Sequence, residues 1–214
     1  MVIIMNDVEK IESLRKINGV FTYSQAHQDL FVREMLGFKK NGHYLEIGAA
    51  EPKQSNNTYI LELEESWAGL SFDISLELVK EFNSQRKNPC ICADATTFDF
   101  KKTLVDNGFP RQIDYLSLDI DPAGVTYDAL ENIPHKDFRF SVITYEHDRY
   151  TSGSQYMLKS RRFLESLGYV RVVSNVKVCG RDFEDWYIDP NVISKDIYAP
   201  FISENIECED IFNK

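Results

Sequence analysis

The sequence predicts a single α/β domain, with a mostly parallel sheet of seven strands, one antiparallel edge strand, and helices on both faces. Three observations carry this. Seven short runs are rich in β-branched and aromatic residues, stretches of helical spacing separate most of them, and five of the runs place a carboxylate at or beside their end. No Pro/Gly linker, low-complexity stretch or internal repeat divides the 214 residues. Residues 1–40 read as a helical extension, 41–190 as the core and 191–214 as a tail.

Each element has a local reason. Ser24 is placed to cap a helix whose apolar side is Leu30, Phe31, Met35 and Phe38. The first core strand is His43–Ile47, and the small residues Gly48, Ala49 and Ala50 follow it as a tight turn. Gly69–Asp73 is the second strand; Leu76, Val79 and Phe82 then recur at helical spacing before a third, Cys90–Asp94. Ile113–Asp119 and Phe140–Glu146 are the fourth and fifth. Met157, Leu164 and Leu167 mark a helix that Gly168 ends. Tyr169–Val178 and Glu184–Ile188 are close enough in sequence to form a hairpin, which supplies the antiparallel edge.

Composition excludes several classes of function. Lys plus Arg number 24 against 34 Asp plus Glu, and a net charge of −10 repels a phosphate backbone, so no nucleic-acid partner is expected. No stretch of about 18 apolar residues occurs, and Val2–Met5 is too short for a secretory h-region. A cytoplasmic protein without a membrane partner is the expectation. Cys90, Cys92, Cys179 and Cys208 match neither a zinc pair nor a disulfide framework.

The carboxylates carry the chemistry. Parallel strands all end on one edge, where open α/β folds bind ligands, so Glu46, Asp73, Asp94, Asp119 and Glu146 would gather there. Their mutual repulsion is costly unless a ligand uses it. Gly48 lets a ligand approach the backbone, but the two further glycines of the dinucleotide fingerprint are missing, which disfavours a nicotinamide cofactor. Glu46 would repel a pyrophosphate and attract a cation. Asp73 stands 25 residues after Gly48, where a carboxylate accepts from ribose hydroxyls, and Asp94 is placed to accept from an adenine amine.

This layout resembles the class I S-adenosylmethionine-dependent methyltransferases and, within them, the FkbM family. Five segments carry the resemblance, over about residues 24–190: Ser24-Gln25-Ala26-His27-Gln28-Asp29, with His27 where glycine is usual; Tyr44 to Pro52 with Asn57-Thr58; Asp114 to Asp121; Tyr145-Glu146-His147; and Glu184-Asp185-Trp186-Tyr187. It implies a Rossmann-like domain, S-adenosylmethionine as cofactor, and O-methylation of a hydroxyl on a sugar, glycan or other small polar metabolite. Glu46, Gly48 and Ala49 would face the methionine part, Asp73 the ribose, and Asp94 and Ala95 the adenine. Asn57 and Thr58 would open the first helix near the methionine carboxylate. Asp119, also counted as a cofactor contact, would stand with Glu146 and His147 beside the transferred methyl. His147 is the natural base, being mostly neutral at pH 7.

Three alternatives stay open. Asp119, Asp121, Glu146 and Asp148 form two carboxylate-x-carboxylate pairs that could hold Mg²⁺, as in some related sugar O-methyltransferases. The same cluster could serve a metal-dependent hydrolase or nuclease. Pro52, where the family has glycine, motivates a non-catalytic cofactor-binding partner subunit. A homodimer through a strand edge is compatible with all of these.

Overall fold

The computed structural model describes residues 16, 17 and 19–213; residues 1–15 of the predicted extension lie outside the described residues. A small hairpin, β1 (Lys16–Ile17) with β2 (Val20–Phe21), opens the described chain. The elements then alternate as the hydrophobic pattern predicts: α1 (Gln28–Met35), β3 (His43–Ile47), α2 (Tyr59–Glu65), β4 (Ala68–Asp73), α3 (Leu76–Gln85), β5 (Cys90–Cys92), α4 (Phe100–Asp106) and β6 (Gln112–Leu118). After these come α5 (Ala123–Asn132), β7 (Arg139–Glu146), α6 (Arg149–Ser152), α7 (Ser154–Ser166), β8 (Val170–Val178), β9 (Arg181–Ile188), α8 (Lys195–Tyr198) and β10 (Ser203–Glu204).

The main sheet has the order β5-β4-β3-β6-β7-β9-β8-β10. Strands β3 to β7 are mutually parallel, and β9 runs antiparallel to both of its neighbours. The antiparallel strand therefore lies inside the edge rather than on it. Helix α7 carries the chain past β7 to the outer position of β8, and the hairpin folds β9 back into the gap. The two-residue β10 then pairs with β8 and shortens the open edge.

Side chains alternate along each strand and feed two cores. On one face Tyr44, Tyr115, Val142 and Trp186 pack with α1, where the Phe31 and Trp186 rings lie 4.7 Å apart. On the other, Leu45, Ile47, Leu116, Leu118 and Ile143 meet Phe100, Leu104, Leu130 and Leu164 of the covering helices. The segment after residue 190 buries Cys208, Ile211 and Phe212 in the first core. Gly168 directly follows the C-cap Leu167 of α7, as expected.

The start of α1 differs from the expectation. Its N-cap is His27, in the left-handed region, and not Ser24; Phe38 falls beyond the helix end. The Ser24 hydroxyl is taken instead by the buried Asp29 carboxylate at 2.6 Å, which also accepts from Tyr23 N at 2.7 Å. No helix among the described residues is long and apolar enough to cross a membrane.

Candidate functional site

The strand order reverses between β3 and β6, so the loops leaving these two strands diverge and open a crevice at their carboxyl ends. Gly48 occupies that point with a φ of +88°, and a Cβ there would lie 1.6 Å from Asp119 O. Only glycine permits so close a crossing. Asp119 N donates to Ile47 O at 3.0 Å, while Gly48 N and Ala49 N donate to Phe72 O at 2.9 and 3.0 Å, tying three strand ends together.

Beside this crossing lies a cavity of about 210 Å³. Of the residues singled out from the sequence, Gly48, Asp73, Asp94 and Ala95 line it, with Asp121 at its rim. Sequence reasoning missed the apolar walls Ile74, Ile120 and Val125. The volume falls below the ~300–1,000 Å³ of pockets that engulf a whole ligand. The enclosed part suits an apolar ring system flanked by carboxylates, and the rest of a cofactor would extend along the acidic edge.

Two of the three acids that line the cavity are already held by backbone. Asp73 accepts from Ala50 N at 3.0 Å and Ser75 N at 2.8 Å, one bond per oxygen, which leaves lone pairs for two hydroxyls. Asp94 accepts from the Thr96 hydroxyl and amide at 2.7 and 2.9 Å, and these bonds hold its carboxyl below the usual range.

Glu46, Asn57 and Thr58 do not reach the cavity lining. Leu45 and Ile47 face one side of the sheet, so Glu46 must face the other, where it is 2% exposed. There it accepts from Ser71 Oγ at 2.7 Å and Thr58 Oγ1 at 3.0 Å. Burial pushes its carboxyl up, against the pull of the Arg86 charge. Asn57 Nδ2 donates to Ser117 Oγ at 2.9 Å, and Thr58 is buried beneath the loop. Ala49 is also turned inward, against Val79, Phe82 and Cys90.

The hub of this layer is Arg86, which nothing local in the sequence marks. Its guanidinium donates to Glu62 Oε2 at 3.0 Å, Pro52 O at 2.8 Å, Asn56 Oδ1 at 3.0 Å, Thr58 Oγ1 at 3.1 Å and Tyr44 OH at 3.2 Å. One side chain thus fixes the loop that follows Gly48.

On the β6–β7 side the acids converge without cations. Asp119 is partly buried, and its carboxyl is pushed up to about 7 by burial and then by the charges of Asp148, Asp121 and Glu46. Glu146 and Glu184 stand opposite each other on β7 and β9. Burial drives Glu184 well above the carboxylate range, Asp119 adds to this, and Trp186 Nε1 donates to it at 2.7 Å. His147 is fully buried: Nδ1 accepts from Arg149 N at 3.2 Å, while Nε2 makes no hydrogen bond among the described residues and lies 3.5 Å from Asp185 Oδ1. Burial pushes Asp185 up, but hydrogen bonds and charge from His147 and Arg161 outweigh it and hold the carboxyl below the usual range. The predicted base is therefore clamped, and Asp119 is the titratable group left partly open. Among the described residues no three His, Cys, Asp or Glu side chains are arranged to hold a metal, so the geometry gives no support to the Mg²⁺ site or the hydrolase centre considered above.

No family model matches the sequence, and no curated protein matches it. Solved structures match its fold. An rRNA methylase from Streptococcus thermophilus aligns with a TM-score of 0.50 at 10% identity, over 75% of this chain and 94% of that one. A candidate rRNA methylase from Clostridium thermocellum gives 0.53 at 12%, over 79% and 97%. A human methyltransferase 10 domain containing protein gives 0.51 at 11%, over 86% and 97%. At such identities the likeness is one of fold: the chain has the α/β, Rossmann-like methyltransferase fold that its sequence predicts.

Proposed function

We propose that the protein is an S-adenosylmethionine-dependent methyltransferase of FkbM type that O-methylates a hydroxyl on a sugar, glycan or other small polar metabolite. The observation that carries this is the crossing of Gly48 over Asp119 beside a cavity lined by Asp73 and Asp94, the acids expected to meet a ribose and an adenine amine. The net charge of −10 supports a small acceptor over an RNA, although two of the proteins with this fold are named as rRNA methylases. A cytoplasmic location belongs to the same proposal.

Gly48, close-packed against Asp119 O, forms part of the cavity wall without a side chain, and the walls Ile74 and Val125 suit a flat ring. Asp73 would hold the ribose, Asp94 and Ala95 the adenine, and Gly48 the methionine part. When bound, the cofactor supplies an electrophilic methyl group on a sulfonium. The chain's task is alignment and proton removal. Asp119 takes the acceptor's hydroxyl proton: a base held at about 7 works near neutral pH. His147 is a positioning residue, anchoring the start of α6 through Arg149 N and so setting Asp148. Glu46 acts from behind the sheet, holding Thr58 and Ser71.

Calorimetry with S-adenosylmethionine and S-adenosylhomocysteine tests the proposal. Both should bind the wild type, and Asp73→Ala should weaken both at least tenfold. No binding to wild type, or equal affinity in the variant, overturns the assignment.

A further inference from the structure

Buried carboxylates elsewhere in this fold have partners. Glu65 meets Arg33, Asp114 meets Lys39, Glu62 meets Arg86, Asp189 meets Arg139 and Asp185 meets Arg161. Asp29 has hydroxyls and backbone amides instead. Asp148 differs in having no cation: it is 2% exposed, its Oδ1, like Glu65 Oε2, has no hydrogen-bond partner among the described residues, and the Tyr150 hydroxyl and Asp121 are the polar groups that face its carboxyl. Nor does any ion pair among those residues reach Asp119, Asp121 or Asp148.

The Asp148 carboxyl is turned toward the site. It lies within hydrogen-bonding reach of Asp121, and it is the strongest charge acting on Asp119. Asp121 follows β6 and lines the cavity, whereas Asp148 follows β7 and does not. The pair thus bridges from the cavity rim toward the β7 side, where an acceptor would lie. A buried carboxyl with an unused oxygen, beside a second carboxyl, is stabilised by a cation that donates to both.

We infer that the methyl acceptor carries a cationic amine, seated between Asp121 and Asp148 and next to its reacting hydroxyl. The inference rests on the methyltransferase proposal above. The acceptor is then an amino alcohol, an amino sugar being one class, and not a neutral sugar. A neutral hydroxyl would donate to one carboxyl but leave the repulsion between them in place. Among the described residues no group of three His, Cys, Asp or Glu side chains is arranged to hold a metal, and Mg²⁺, which one or two carboxylates and water can hold, is a competing outcome of the test.

The test uses protein saturated with S-adenosylhomocysteine, titrated by NMR with 2-aminoethanol and, separately, with ethylene glycol. The ammonium probe should shift amides near residues 119–122 and 147–150 and bind at least tenfold tighter than the diol. Asp148→Asn should abolish that preference, and Asp121→Asn, at an exposed position, should reduce it. Equal binding of the two probes, binding of neither, or an intact preference in both variants overturns the inference. So does Mg²⁺ shifting the same amides more tightly than the amine. If S-adenosylhomocysteine itself fails to bind, the methyltransferase proposal has failed before any probe is added, so the two failures are distinct.

Discussion

Gly48→Ala tests the crossing at the centre of the site. At a φ of +88° an alanine carries left-handed strain, roughly 1–2 kcal/mol. Its Cβ would also stand 1.6 Å from Asp119 O and 2.7 Å from the carbonyl carbon. That carbonyl cannot swing away freely, because Asp119 N is bonded to Ile47 O at 3.0 Å in the sheet ladder. Forcing it aside adds about 1–3 kcal/mol, as overpacking does in cores. The expected loss is therefore roughly 2–5 kcal/mol in urea unfolding, against about 5–15 kcal/mol for a whole domain. Gly168→Ala is the control. Its φ of +87° imposes the same strain, but nothing lies within 4 Å of its Cβ. The difference between the two variants isolates the clash. Because relief of the clash moves Asp119, S-adenosylhomocysteine affinity should also fall at least tenfold in Gly48→Ala alone. A Gly48 variant as stable as the Gly168 variant, with wild-type affinity, would refute the reasoning.

Three further outcomes follow from the same structure. Burial lowers His27 from 6.5 to about 4, so between those values the unfolded chain binds a proton that the fold refuses. Stability should fall by about 3 kcal/mol as pH drops from 6.5 to 4, and His27→Asn, which tolerates the left-handed backbone and does not titrate, should flatten the slope. Asp119 has the opposite sign. Its folded carboxyl keeps a proton up to about 7 and its unfolded one only to 3.8, so the stability it contributes is lost as pH rises through that window, while methyl transfer should rise with pH through about 7. Asp119→Asn should remove both dependences, read by urea unfolding and by a pH–rate profile. Arg86→Ala strands Glu62 and four other acceptors and should cost about 3–5 kcal/mol in urea unfolding. Arg86→Lys restores the charge without the fork, so it should recover only part of the loss.

The five parallel strands were legible because their signal is local: each is a short apolar run with an acid at or beside its end. The site was legible to the extent that it is built from those ends, and Gly48, Asp73, Asp94 and Ala95 reach the cavity directly from their strands. The orientation of Glu46 was open to the same reasoning, since two-residue alternation turns it away once Leu45 and Ile47 are assigned to the opposite core. What escaped depends on contacts between distant segments. Arg86 draws its partners from residues 44, 52, 56, 58 and 62, and no local pattern announces such a hub. Likewise, His147 looks like a free base until β9 brings Asp185 beside it. The place of β9 between β7 and β8 is a matter of topology, not of hydrophobic period.

The two halves of the site differ in how their acids are held, and the difference bears on how it works. In the half proposed to take the nucleoside, Asp73 and Asp94 accept from backbone amides, so their orientations are set before any ligand arrives. In the β6–β7 half, Asp119, Asp121 and Asp148 repel one another with no protein cation to relieve them, and Asp119 keeps its proton near neutrality as a result. A cationic acceptor entering there would draw Asp119 toward its ionised form. The group that favours binding would thereby also ready the base for the hydroxyl beside it. Repulsion that weakens the free fold would thus become a preference for one kind of ligand, whereas Glu65, Glu62 and Asp189 already have a guanidinium beside them.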